Sequence, residues 1–207
     1  MSTFVEAGWV SRDAQGAYRI RMSMFVVASA ALAEGDLRSL ARPELEALAR
    51  RFGDTAFLMV PADAGAVVVD RVEGGRSLQV AGLGVGTVLP FHAAAGPVLM
   101  AAYDDALRAR LLAGPADPFT ASTLTDPAAL AARLDAVRAD GVSTSRGDYL
   151  DGVAAVAAPI LGRSGELVAT LSLGGPEADF TGDGAHGRLD AVREAAARLT
   201  EATALTA

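Results

Sequence analysis

GVAAVAAPILGRSGELVATLSLGGP, residues 152–176, decides the fold class. Val153 to Leu161 and Glu166 to Leu173 are two runs of alternating small and branched apolar residues, and Gly162-Arg163-Ser164-Gly165 between them is a turn. That pattern predicts an antiparallel hairpin. Gly174-Gly175-Pro176 is read as the point where the second strand breaks. A second hairpin is predicted at Thr55–Val60 and Ala66–Val72, around Pro61 to Gly65, with a third short strand at Ser77–Ala81.

The segments between the hairpins carry helix signals. Leu37 to Phe52 has Leu37, Leu40, Leu45, Leu48 and Phe52 on one stripe, Asp36 as cap and Gly53 as stop; Pro43 inside it predicts a kink or a fresh first turn. Arg21 to Glu34 has helical composition. Asp104 or Asp105 opens one helix, and Thr125-Asp126-Pro127 opens another that stops at Gly141. An alanine-rich helix starts near Ala93, Val142 to Tyr149 reads as a strand, and a long helix over about 184–202 closes the chain. Hairpins imply a mostly antiparallel sheet, and the interleaved helices make this an α+β fold with helices on the faces of the sheet.

Composition narrows the function. The chain has 207 residues, 51% of them hydrophobic, and a net charge of −7. It has no lysine, so every permanent side-chain cation is arginine, and an acidic chain is poorly suited to phosphate contacts. The absence of cysteine excludes disulfides, thiolate catalysis and zinc–sulfur sites, and two histidines make a histidine-rich metal site improbable. No metal and no cofactor is implied. The longest apolar run, Met24 to Ala33, is too short to span a bilayer, and the N-terminus lacks a signal-peptide pattern, so the chain reads as cytoplasmic.

Catalytic motifs are thin. Gly82-Leu83-Gly84-Val85-Gly86 lacks the spacing of a nucleotide loop, and Ser164 is a turn residue rather than a nucleophile. Asp104-Asp105 and Asp148/Asp151 read as caps or turn formers, with no His or Cys partner near them. His92-Ala93-Ala94-Ala95-Gly96 has two readings. Small residues at a helix start expose N–H groups to an anion, or they allow close helix–sheet packing, and packing is the one the sequence alone favours. The hairpin of residues 153–173, with Ser172 as its hydroxyl, is either a pocket wall or ordinary core.

Several stretches together resemble the effector-binding region of IclR-type bacterial transcription regulators. VEAGWVSRDAQGAYRI resembles the tail of that family's recognition helix and the wing of its winged helix-turn-helix. LARPELEALARRFGDTAFLMV resembles the opening of the effector domain, and VVVDRVEG, VGTVLPFHAAAG, FTASTLTDP, GVAAVAAPI and LVATLSLGGP follow in the family's order. The resemblance implies a GAF-like domain with a central antiparallel sheet, in a dimer or dimer of dimers acting on promoters. It divides the chain into a remnant of the DNA-binding head (1–20), a linker helix (21–35) and an effector-binding domain (36–207). DNA contact would then need a complete head, of which the early helices are not in this sequence.

The resemblance also places the effector site. Leu78, Ala81 and Leu89 would form one wall, Ala95 and Gly96 the helix start, and Ser145, Val153, Ala155, Ser172 and Gly174 the other side. Family members that bind small oxo-acids carry an acidic residue, a cysteine and a serine where Ser145, Ala155 and Gly174 stand. The departures imply a roomier, less polar pocket suited to an aromatic organic acid rather than glyoxylate or pyruvate. Two rivals stand beside this sensor: a structural dimerisation module that binds nothing, and a GAF-like enzyme, which the lack of cysteine disfavours.

Overall fold

In the computed structural model, which describes residues 2–13, 15–21, 23, 37–75 and 82–206, the chain divides into two compact units, Met1–Leu37 and Arg38–Ala207. The first unit holds a short helix, α1 (Ser2–Glu6), and a hairpin of β1 (Val10–Arg12) and β2 (Tyr18–Ile20). Val10 pairs with Ile20 and Arg12 with Tyr18. Each polar residue of the turn has a task. The Asp13 carboxylate accepts the N–H groups of Gln15 and Ala17, and Gly16 supplies the left-handed conformation at φ +86°. The linker helix expected over 21–35 falls, but for Arg21 and Ser23, outside the described residues.

The second unit runs α2 (Leu37–Phe52), β3 (Thr55–Ala62), β4 (Gly65–Val72), β5 (Val88–Leu89), α3 (Ala95–Tyr103), α4 (Asp105–Ala113), α5 (Pro127–Asp140), β6 (Ser143–Arg146), β7 (Val153–Leu161), β8 (Leu167–Pro176) and α6 (Gly182–Thr206). Its strands form one six-stranded sheet in the order β5-β4-β3-β8-β7-β6, with every neighbouring pair antiparallel. Local chemistry sets the helix ends. Asp104 caps α4 by accepting the Leu107 N–H, and Asp126 caps α5 by accepting the Ala129 N–H with Pro127 in the first turn. Gly141, at φ +69°, ends α5.

Two expectations are revised, and a third falls outside the described residues. Pro43 lies inside one continuous α2 rather than opening a second helix. The strand expected at 77–81 falls on residues outside those described, and the strand that borders β4 is β5, where Leu89 pairs with Ala66. Gly174-Gly175-Pro176 does not break the chain, because β8 continues to Pro176. Gly175 answers to space, not to turning, and Gly174 is a ladder residue with ordinary clearance. A Cβ on Gly175 would stand 2.6 Å from Asp54 Oδ1, and Gly174 lies between Ala155 and Thr55 in the ladders.

Helices cover the sheet from both sides. α6 packs on β7 and β8, and α3 packs on the same two strands and on β3, β4 and β6. The alternation of a strand puts successive side chains on opposite faces. Val156 accordingly shares a cleft with Ala185 and Leu189 of α6, whose edge Ser145 and Ala155 also line, whereas Ala155, Ser172 and Gly174 share a cavity with the start of α3. On the α6 side a buried ion pair joins the chain before β3 to the helix: Arg188 Nε donates to Asp54 Oδ2 at 2.7 Å. The guanidinium carbon also sits 5.2 Å from the Phe52 ring and 4.8 Å from the Phe180 ring.

Candidate functional site

Register builds the floor of the cavity. Ser145 pairs with Ala155, and Ala155 with Gly174, so three small residues from β6, β7 and β8 stand in one row. The next row pairs Ala157 with Ser172 and Ser172 with Phe57. Above these rows comes α3, and Gly96 lets it approach. A Cβ there would meet Thr170 Oγ1 at 3.0 Å and Met59 Sδ at 3.1 Å. The packing reading of the small-residue stretch applies at Gly96, and Ala95 and Gly96 also line the cavity.

Eight of the ten expected residues, Leu89, Ala95, Gly96, Ser145, Val153, Ala155, Ser172 and Gly174, come together around this one cavity. Leu78 and Ala81 lie outside the described residues. Sequence reasoning missed Phe57, Met59, Leu83, Ala94, Asp148, Tyr149 and Leu150, which also line it. Phe57 and Met59 carried a usable signal, since they alternate along a recognised strand. The walls are as apolar as expected but the cavity is not roomy. Its volume is about 40 Å³, against the ~10–15 Å³ that one water needs. The larger side chains of Phe57, Met59, Tyr149 and Leu150 line it beside the small residues of the floor.

Polar groups converge at one end. The first N–H groups of a helix have no acceptor within it, and Pro97 removes one donor from this turn. The Ala95 and Gly96 N–H groups stay available. Ser145 and Ser172 are buried and line the cavity, and neither hydroxyl has a hydrogen-bond partner among the described residues. Asp148 sits at the same end. Its Oδ1 accepts the Ala94 N–H at 3.2 Å, a contact from a turn 54 residues away rather than a helix cap, so of the two readings of this aspartate the turn former applies. Ala94 adopts φ 62° and ψ 155°, a region that glycine favours and that costs an alanine about 1–3 kcal/mol. The Asp148 contact is one of the forces that hold it there.

The turn that carries Asp148 is itself held. Thr120 Oγ1 donates to Gly147 O and Thr123 Oγ1 to Asp148 O, both at 2.6 Å. The Phe119 ring lies 5.0 Å from Tyr149 and 5.5 Å from His92, whose Nε2 is 2.9 Å from Asp117 O. Arg133 Nη2 stands 2.8 Å from Asp148 Oδ2 and 3.0 Å from Thr144 O. Only the second contact has hydrogen-bond geometry, so Arg133 balances the charge of Asp148 without donating an aligned N–H to Oδ2. No cluster of His, Asp or Glu able to hold a metal occurs among the described residues. On the α6 face a wider cleft, about 260 Å³, is lined by Val156, Phe180, His186 and Leu189. Its Arg146 is already engaged by Glu177 and by Phe180 O.

Comparison with known proteins gives this geometry a family. Residues 29–201 match the family model described as bacterial transcriptional regulator IclR C-terminal. The chain belongs to the IclR family. A glycerol operon regulatory protein of Streptomyces griseus is 30% identical, over 93% of this chain and 77% of that protein. The structure of an ICLR transcriptional regulator from Silicibacter sp. TM1040 superposes with a TM-score of 0.90 at 27% identity, covering 99% of this chain and 82% of the other. An IclR homolog from Microbacterium hydrocarbonoxydans, complexed with 4-hydroxybenzoate, gives a TM-score of 0.80 at 22% identity, over 98% of this chain and 82% of that one. As an IclR effector-binding domain the chain is regulatory rather than enzymatic. No helix among its described residues is long and apolar enough to cross a membrane.

Proposed function

We propose that this IclR domain senses a small organic acid, with an aromatic acid fitting best, in the cavity beneath α3. The observation that carries the reading is the meeting of unpaired Ser172 and Ser145 hydroxyls with the free first N–H groups of α3 at one end of an apolar cavity. A helix N-terminus favours a carboxylate, while Phe57, Leu89 and Val153 offer an apolar body its contacts. The 4-hydroxybenzoate held by a neighbour of the same fold supports an aromatic acid as the ligand type. Met59 is unbranched and flexible, and its movement widens the narrow cavity.

Effector binding would then shift the arrangement of subunits in a dimer or dimer of dimers and so bias DNA binding, since a ligand moves an equilibrium only by its differential affinity for the two states. In this scheme residues 1–20 belong to the DNA-binding head, with the β1–β2 hairpin as its wing, residues 21–35 link it to the sensor, and residues 36–207 bind the effector in the cytoplasm. The test is thermal unfolding with glyoxylate, pyruvate, benzoate and phenylacetate. A ligand at one hundred times its dissociation constant adds about 2.7 kcal/mol. The aromatic acids stabilise the domain and the oxo-acids do not. A flat panel would oppose this reading and favour a structural dimerisation module.

A further inference from the structure

The carboxylate of Asp148 constrains what an acid can look like when it binds at the start of α3. Asp148 Oδ1 accepts the N–H of Ala94, and Ala94 immediately precedes the Ala95 and Gly96 amides that would take the effector's carboxylate. Neighbouring residues are ~3.8 Å apart along the chain, so an acid group on those amides sits only one or two residues along from the Asp148 carboxylate. The protein cannot swing Asp148 away cheaply. Its backbone carbonyl is tied to Thr123, the preceding one to Thr120, and its charge is balanced by Arg133.

A carboxylate oxygen has two acceptor positions. Oδ2 is closed off against Arg133, but Oδ1 holds only the Ala94 N–H and keeps a second lone pair on a side chain that lines the cavity. Two acceptors brought this close need a proton between them. Resting on the reading of this cavity as an acid site, we propose that Asp148 is a specificity-determining residue that selects an effector bearing a hydroxyl on the carbon next to its carboxylate. The acid group lies on the α3 amides and Ser172, and the hydroxyl donates to Asp148 Oδ1. A 2-oxo acid places a carbonyl acceptor against Asp148 in the same position and is rejected. An acid with two hydrogens there leaves Asp148 without its donor.

The experiment compares three probes of one skeleton: mandelate as separate enantiomers, phenylacetate and 2-oxo-2-phenylacetate. Dissociation constants are measured by calorimetry on the unaltered protein and on Asp148→Asn. In the unaltered protein one mandelate enantiomer binds at least 10-fold tighter than phenylacetate, and the oxo acid binds weakest. In Asp148→Asn the spread falls to within about 3-fold, since the charge that repels the oxo group and strengthens the hydroxyl bond is gone. Binding of all three with equal affinity to the unaltered protein would overturn the inference and leave the acid-site reading intact. Binding of none would remove that reading and the inference with it. The first comparison needs no variant, so it holds even where Asp148→Asn fails to fold.

Discussion

The two faces of one sheet serve opposite ends. On the α6 face, β7 and β8 present Val156, Leu171 and Leu173 to a long helix, and a buried Asp54–Arg188 pair clasped between two phenylalanines locks that helix in place. On the α3 face the same strands present Ala155, Ser172 and Gly174, the hydroxyls of Ser143, Ser145, Thr170 and Ser172 have no hydrogen-bond partner among the described residues, and Ala94 before α3 takes a glycine conformation. An ion pair dominates the polar chemistry of one face, and open hydroxyls that of the other. Residues of neighbouring number on one strand therefore differ in what a mutation should do: on the α6 face it costs stability, and on the α3 face it costs ligand.

The largest expected effect breaks the locked face. Arg188→Met removes the buried guanidinium that donates to Asp54, and breaking a buried ion pair in this way costs about 3–5 kcal/mol. Urea unfolding of the variant should show a midpoint far below that of the parent. On the open face Ser172→Ala removes a hydroxyl that bonds to none of the described residues, so unfolding should move by less than about 1 kcal/mol while benzoate affinity falls by about 10–100-fold, the worth of a hydrogen bond to a charged group. Loss of stability without loss of affinity would erase the distinction between the faces.

A smaller effect has the opposite sign. Ala94→Gly relieves the positive φ and should raise stability by about 1 kcal/mol, which thermal unfolding would register as a higher melting temperature. The smallest concerns a surface clasp between α2 and α6, where Arg198 donates to both oxygens of Glu44 at 2.9 and 2.8 Å. That hydrogen bonding holds the Glu44 carboxyl below its usual value. A depressed carboxyl contributes stability that is present above its unfolded value near 4.5 and is lost as pH falls through the folded value. The difference in stability between the parent and Glu44→Gln should therefore shrink as pH is lowered below that range.

Legibility in the sequence followed the range of the physics. The caps at Asp104 and Asp126, the stop at Gly141 and the hairpin of residues 152–176 are local, and each was readable from a few adjacent residues. Gly174 and Gly175 were misread as a break because the partners that keep them in β8 are remote: Thr55 and Ala155 pair with Gly174, and Asp54, just before β3, comes close to Gly175. The narrowness of the cavity was hidden for the same cause. Small residues at Ser145, Ala155 and Gly174 suggest room, but whether Phe57 and Met59 line the same cavity depends on the register of β3 against β8. Asp148 was recognisable as a turn residue. Its place on the cavity wall depends on a turn 54 residues downstream of the amide from which it accepts.

The central claim is that the open face, at the start of α3, is where a small acid binds. The most direct measurement is a titration of the ¹⁵N-labelled domain with benzoate, following the backbone amide resonances. The amides of Ala95, Gly96 and Ser172 should move first and furthest, with those of Ala185 and Leu189 on α6 unchanged. Shifts concentrated on α6 and Val156, with the α3 amides still, would contradict the claim.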